Sequence, residues 1–271
     1  MNSRLAWYLI AVCSVIATVL WLTGLGITAM DILVPASASE AGGTEETRTA
    51  PVATPLEQAE EIRLLALGDS LTKGTGDETG QGYVHRLAEG LKSRYGKPVS
   101  MLGNLAVNGM TATELSERLE QDEIVQNTVR QANLIVFSIG GNDLFLSARA
   151  KWNGRQLKAV SVDELTGDLE EAAGRFRSIT SRLHALNPNA TVVYMGLYNP
   201  FFDIDELRDA SLKIQLWNKQ AYGALHEFPL MRMAPTFDLF EDRIIERLSS
   251  DHFHPNGDGY EKIASRMLDA L

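Results

Sequence analysis

Residues 62–71 read Ile-Arg-Leu-Leu-Ala-Leu-Gly-Asp-Ser-Leu. Six residues with little polar interruption run straight into Gly68-Asp69-Ser70-Leu71. A short apolar run that does not alternate with polar residues is the pattern of a strand covered on both faces, as in a parallel sheet. Four further runs share it: 99–102, 134–138, 191–195 and 231–234. Between them lie stretches of helical period. Residues 83–95 put Val84, Leu87, Ala88 and Leu91 on one face, and 113–130, 162–186 and 212–228 follow with similar spacing. Residues 256–271 close the chain, with Tyr260, Ile263, Ala264 and Met267 on one face. Strand alternates with helix, so the expected fold class is α/β with a parallel sheet and right-handed crossovers.

In such sheets ligands bind beyond the carboxyl ends of the strands. Ser70 follows the first expected strand. Asn104-Leu-Ala-Val-Asn-Gly109 follows the second, and Gly140-Gly141-Asn142-Asp143 the third. Asp251-His252-Phe253-His254-Pro255 follows the fifth after a short helical stretch. All four islands therefore fall on one edge of the sheet. They supply a serine, a histidine with a carboxylate three residues before it, and amide donors. These are the parts of acyl transfer through a serine nucleophile.

Taken singly, each part is ordinary. Ser70 reads equally as a turn or N-cap serine, and Gly-Gly-Asn-Asp is good turn chemistry. Taken together they assign roles. Ser70 is the candidate nucleophile, His254 its base and Asp251 the group that orients the base. The N–H groups of Ser70 and Gly109 and the side-chain amide of Asn142 are the candidate oxyanion donors. His252 is a rival base, but it is adjacent to Asp251, where side chains diverge. His85 and His184 sit on expected helices as surface residues, and His226 lies near a helix end, where it would meet the last carbonyls. Activity is expected to rise with pH as His254 loses its proton. No cluster of metal ligands stands out, and no cofactor is expected.

The four islands resemble the four sequence blocks of the SGNH (GDSL) hydrolase family, in the right order and across all of residues 62–271. Gly68-Asp69-Ser70-Leu71 is similar to the first block, and Gly109, Gly140-x-Asn142 and Asp251-x-x-His254 to the other three. There is no G-x-S-x-G elbow. The resemblance implies a three-layer, flavodoxin-like α/β/α sandwich with about five parallel strands. It also implies ester hydrolysis by Ser70, His254 and Asp251, with Ser70, Gly109 and Asn142 as the oxyanion hole. The anchor, acidic linker and Asn-Pro-Phe-Phe loop further resemble membrane-anchored lipase/esterase-like members of Gram-positive bacteria.

Family resemblance does not choose a substrate. Tyr198-Asn-Pro-Phe201-Phe202 follows the fourth strand on the active edge, so Tyr198, Phe201 and Phe202 are candidates for an acyl pocket. Residues 144–160, with Phe145 and Trp152, are a candidate lid. Packing against the sheet is the alternative for both. The expected substrates are short to medium acyl esters or lysophospholipids. The alternatives are O-acetyl groups of cell-wall polysaccharide or peptidoglycan, a non-catalytic surface binding protein, and acyl transfer to an acceptor other than water.

Outside this domain the chain reads differently. Residues 6–30 carry no charged side chain and are long enough to span a bilayer. Arg4 precedes them; Asp31, Glu40, Glu45 and Glu46 follow. Positive charge inside puts the domain outside the cytoplasm. Residues 1–30 are thus expected to be a transmembrane signal-anchor, or a signal peptide cut near Ala36-Ser37-Ala38. Residues 31–61 have the composition of an acidic, disordered linker, and 62–271 form the hydrolase domain. The single cysteine, Cys13, lies in the apolar run, and Val12 stands where a lipoprotein signal carries a small residue. The domain therefore manages without disulfides. Net charge is −10 and no basic stripe exists, which argues against nucleic-acid binding. A monomer is expected.

Overall fold

A computed structural model describes residues 56–145, 169–241 and 243–271, together with Thr18. All of the expected membrane span but Thr18, nearly all of the linker, Trp152 and most of the expected lid lie outside the described residues. Among the described residues no helix is long and apolar enough to cross a membrane.

Five parallel strands form one sheet: β1 Ile62–Gly68, β2 Val99–Asn104, β3 Leu134–Ser138, β4 Thr191–Met195 and β5 Met231–Ala234. Their spatial order is β2-β1-β3-β4-β5. The order reverses between β1 and β3, which makes the crevice beyond those two strands the natural ligand site. The helices are α1 Ser70–Lys73, α2 Gly82–Tyr95, α3 Ala112–Gln121, α4 Glu123–Gln131, α5 Leu169–Leu186, α6 Ala210–Leu225, α7 Asp238–Glu241, α8 Ile244–Arg247 and α9 Gly257–Asp269.

The strands alternate their side chains between two cores, as a pleated strand must. Leu65, Leu67, Ile135, Phe137, Val192 and Tyr194 face one core, which α3 to α6 cover with Leu115, Val129, Phe176 and Trp217. Ile62, Leu64, Leu134, Val136, Val193 and Met195 face the other, covered by Leu87, Leu91, Tyr260 and Ile263 of α2 and α9. The result is a three-layer α/β/α sandwich. Both faces are apolar because both are covered, which is why the strands read as runs rather than alternations.

Two expectations need correction. Residues 113–130, read as one helix, are two. Asp122 ends α3 and caps α4, its Oδ1 accepting from the N–H groups of Ile124 (3.0 Å) and Val125 (3.2 Å). Apolar period carries through such a break, so only the cap reveals it. The packed chain also begins before Ile62: Leu56 is buried in the second core, and Lys97 Nζ donates to its carbonyl at 3.2 Å.

Candidate active site

Ser70 is the first residue of α1, where β1 turns into helix. The turn needs Gly68, whose φ is +115°; a Cβ there would lie 1.9 Å from the Ser138 carbonyl oxygen. Asp69 caps α1 by accepting from Leu71 N–H at 3.0 Å. As the first helical residue, Ser70 has an N–H with no partner inside the helix. Its side chain points into the crevice beyond β1 and β3.

His254 reaches Ser70 from the loop after α8. Its Nε2 lies 2.8 Å from Ser70 Oγ, and its Nδ1 2.5 Å from Asp251 Oδ2. A carboxylate only accepts, so Nδ1 carries the proton and Nε2 is left to accept from the serine. The loop that holds this pair is self-bonded. Asp251 Oδ1 accepts from Ser249 Oγ (2.7 Å), Phe253 N–H (3.0 Å) and His254 N–H (2.9 Å). Burial pushes the Asp251 carboxyl up, but the bonds from the His254 ring, the His254 N–H and Ser249 outweigh it. They hold the carboxyl well below the usual carboxylate range. Ser70 and His254 are each 2% exposed, whereas Asp251 at the outer end of the series is exposed to solvent.

The candidate oxyanion donors lie in the loops after β2 and β3. Gly109 takes a φ of +82° in a turn closed by Met110 N–H on Val107 C=O at 3.1 Å, the third position of a type II turn, which favours glycine. Nothing lies within 4 Å of where a Cβ would stand. Asn142 Nδ2 donates one hydrogen to Met110 C=O at 2.8 Å, which leaves the second to point elsewhere. Asp143 accepts from Ala112 N–H with both oxygens, at 3.2 and 3.0 Å. These bonds lock the two donor loops together.

Sequence reasoning passed over the buried network beneath the serine. Asp69 Oδ1 also accepts from Ser138 Oγ at 2.6 Å, Ser138 Oγ is 2.7 Å from Thr72 Oγ1, and Thr72 Oγ1 is 2.7 Å from Tyr83 OH. Burial raises the Asp69 carboxyl, partly offset by the Ser138 bond. A polar residue ending an otherwise apolar strand, Ser138, was the available signal.

The remaining candidates divide. Tyr198 lines a hollow beside Ser70, with Gly141, Phe145, Leu197, Pro200 and Phe253. Its hydroxyl donates to Phe253 C=O at 2.7 Å and its ring stacks on Phe240 at 3.9 Å. Phe201 stands behind that hollow, its ring 5.8 Å from Phe145 and 6.1 Å from Phe253. Phe202 lines a different hollow, with Arg208 over its ring at 5.6 Å. Phe253, adjacent to the histidine, was not singled out from sequence. His252 does not compete for Ser70: with φ at +53° it turns away and its Nε2 meets Asp203 Oδ1 at 3.1 Å. His226 Nδ1 lies 2.9 Å from Tyr222 C=O, the helix-end role expected of it.

A serine, histidine and carboxylate in hydrogen-bonded series, on a doubly wound α/β sheet, define a hydrolase-type site on an SGNH-like sandwich. Residues 66–262 match the GDSL-like Lipase/Acylhydrolase family. YpmR, an uncharacterized protein of Bacillus subtilis, is 36% identical over 215 residues, 78% of this chain and 82% of its own. The spore germination lipase LipC of Bacillus licheniformis is 27% identical over 207 residues, 76% of this chain and 94% of its own. The chain belongs to the GDSL-like lipase/acylhydrolase family and is a carboxylic ester hydrolase. Solved structures share its fold. A lipase from a goat rumen metagenome aligns with TM-score 0.64 at 24% identity, over 77% of this chain and 97% of that one. An acetylxylan esterase from Geobacillus stearothermophilus aligns with TM-score 0.56 at 20% identity, over 77% and 93%.

Proposed function

We propose that the protein hydrolyses short acyl esters through an acyl-enzyme on Ser70. The observation that carries this reading is the unbroken Ser70–His254–Asp251 series at 2.8 and 2.5 Å. Ser70 Oγ attacks the ester carbonyl carbon while His254 Nε2 takes its proton. The negative oxygen is held by Ser70 N–H, Gly109 N–H and the second Nδ2 hydrogen of Asn142. Asp251, held ionised, stabilises the imidazolium. His254 then returns the proton to the alcohol oxygen as the carbon–oxygen bond breaks. Water enters by the reverse route and releases the acid, leaving Ser70 protonated again.

The second reading from the sequence, an O-acetylesterase, gains support from the small hollow beside Ser70. The acetylxylan esterase among the structural relatives fits it as well. The charge-free run at 6–30, followed by acidic residues, supports a domain tethered outside the cytoplasm.

The test is turnover of p-nitrophenyl acetate by the full-length protein beside Ser70→Ala. Loss of turnover in the variant, with its folding intact by circular dichroism, supports the serine route. Equal turnover in the two would refute it.

A further inference from the structure

Asp69 precedes the nucleophile and is 1% exposed, yet it lines the hollow beside Ser70 together with Gly141 and Asn142. Its two oxygens are used unequally. Oδ1 accepts from Leu71 N–H at 3.0 Å and from Ser138 Oγ at 2.6 Å. Oδ2 makes no hydrogen bond among the described residues and lies 3.9 Å from where a Cβ on Gly141 would stand. An ionised carboxylate offers about four lone-pair sites, and burying one with both its bonds on a single oxygen is costly. A neutral acid fits the same pattern. Oδ1 is then the carbonyl oxygen, which accepts, and Oδ2 carries the proton on the side of the hollow.

The surroundings agree. Burial pushes the carboxyl up. The bonds from Ser138 and Leu71 and the nearby His254 ring draw it back, and Asp143, in the loop after β3, adds to the rise. Four buried phenols share its field: Tyr83 on α2, Tyr194 on β4, Tyr198 just after β4 and Tyr260 on α9. Burial pushes each of them up, so they stay neutral beside it.

At this position the charge matters. Ser70 N–H, one residue on, and Asn142, one residue past Gly141, are proposed oxyanion donors. A negative carboxyl lining the same hollow would oppose the charge they gather. It would also favour imidazolium on His254, the form that cannot accept from Ser70. A neutral carboxyl holds Leu71 N–H, and with it the turn that carries Ser70, without either penalty.

We propose that Asp69 acts as a neutral acid, a positioning residue that holds the Ser70 turn through Oδ1 and keeps a proton on Oδ2 beside the oxyanion donors. The proposal rests on the serine-esterase reading and adds a residue to it.

Infrared difference spectra of the full-length protein against Asp69→Asn test the proton directly. At about pH 8, far above the range of an ordinary carboxyl, wild type should show a protonated-carboxyl band that the variant lacks. Where that band titrates away, kcat/KM for p-nitrophenyl acetate should fall with it in wild type and hold in Asp69→Asn. Asn keeps an acceptor for Leu71 and Ser138 and puts N–H in place of O–H. Asp69→Asn should therefore stay within about tenfold of wild-type kcat, whereas Asp69→Ala, which lets the turn shift, should lose about 10²-fold. Ser138→Ala removes a bond that favours the charged form, so the band should titrate at higher pH. That shift carries the test if Asp69→Asn fails to fold. No band at the first pH, a loss of kcat as deep in Asp69→Asn as in Asp69→Ala, or an alkaline fall in rate shared by Asp69→Asn would each overturn the proposal. Turnover retained by Ser70→Ala would instead overturn the serine route and leave the band in place, so the two readings fail separately.

Discussion

Asp251 gathers four hydrogen bonds on two oxygens, and only one of them leads to the histidine ring. The other three fix where the ring can stand. Replacing it with Asn keeps the shape but offers Nδ1 an amide that can present its hydrogens, so the tautomer is no longer enforced. Asp251→Asn should lower kcat by about 10³–10⁴, the order seen when a triad loses its tautomer control, and should also lower the urea midpoint modestly, since the ionised carboxyl it removes is stabilised by the fold. Steady-state kinetics beside equilibrium unfolding checks both. Asn142→Ala removes the proposed oxyanion donor. It should cost about 2.7–4 kcal/mol of transition-state stabilisation, read in kcat with KM little changed. If KM rises instead and kcat holds, Asn142 binds the ground state and has been given the wrong role. The two residues were legible because their types and spacing are chemical. Asp69, Ser138, Thr72 and Tyr83 were not, since nothing in their spacing says that they meet beneath the serine.

At the scale of elements, the site depends on how strand gives way to helix. β1 passes so near β3 at its end that only hydrogen fits on the Gly68 Cα: a Cβ would meet backbone, not a side chain able to swing aside. Gly68→Ala combines a positive φ with a backbone clash and should destabilise the domain by about 3 kcal/mol or more. Urea unfolding followed by circular dichroism would show it; an unchanged midpoint would mean that the strand ends separate freely. The break between α3 and α4 is a milder case. Asp122→Ala loses a cap on two N–H groups, with an expected cost of about 1 kcal/mol by the same measurement. Strand positions were readable because burial on both faces leaves an apolar run whose ends coincide with the turns. Helix ends were less so, because the apolar stripe continues past a cap that only side-chain geometry reveals.

For the whole molecule, acid stability follows from which carboxylates folding perturbs. Burial pushes Asp77 up, but the Arg86 guanidinium, the Thr79 hydroxyl and backbone N–H groups bring it down to about 2. An unfolded Asp titrates near about 3.9. A lowered folded value means that the unfolded chain takes up the proton first. Its stabilisation is therefore whole above about pH 4 and lost as pH falls toward 2. Asp251 acts in the same direction. Asp69 acts in the opposite one, its buried charge costing stability above its unfolded value and relieved on acidification. Urea midpoints should fall between pH 5 and pH 3, and Asp77→Asn should be less stable at pH 5 with a shallower fall. A variant as steep as wild type would remove Asp77 from the account. The sequence by itself determined the alternation of strand and helix, the order of the four islands and the edge on which they lie, because burial and turn chemistry are local and leave local marks. Only the tertiary structure decided the strand order with its crevice between β1 and β3, the hydrogen-bonded series Ser70–His254–Asp251, and the place of Phe253 in the hollow beside Ser70. Those depend on distances between residues far apart in the chain, which packing sets and composition does not encode.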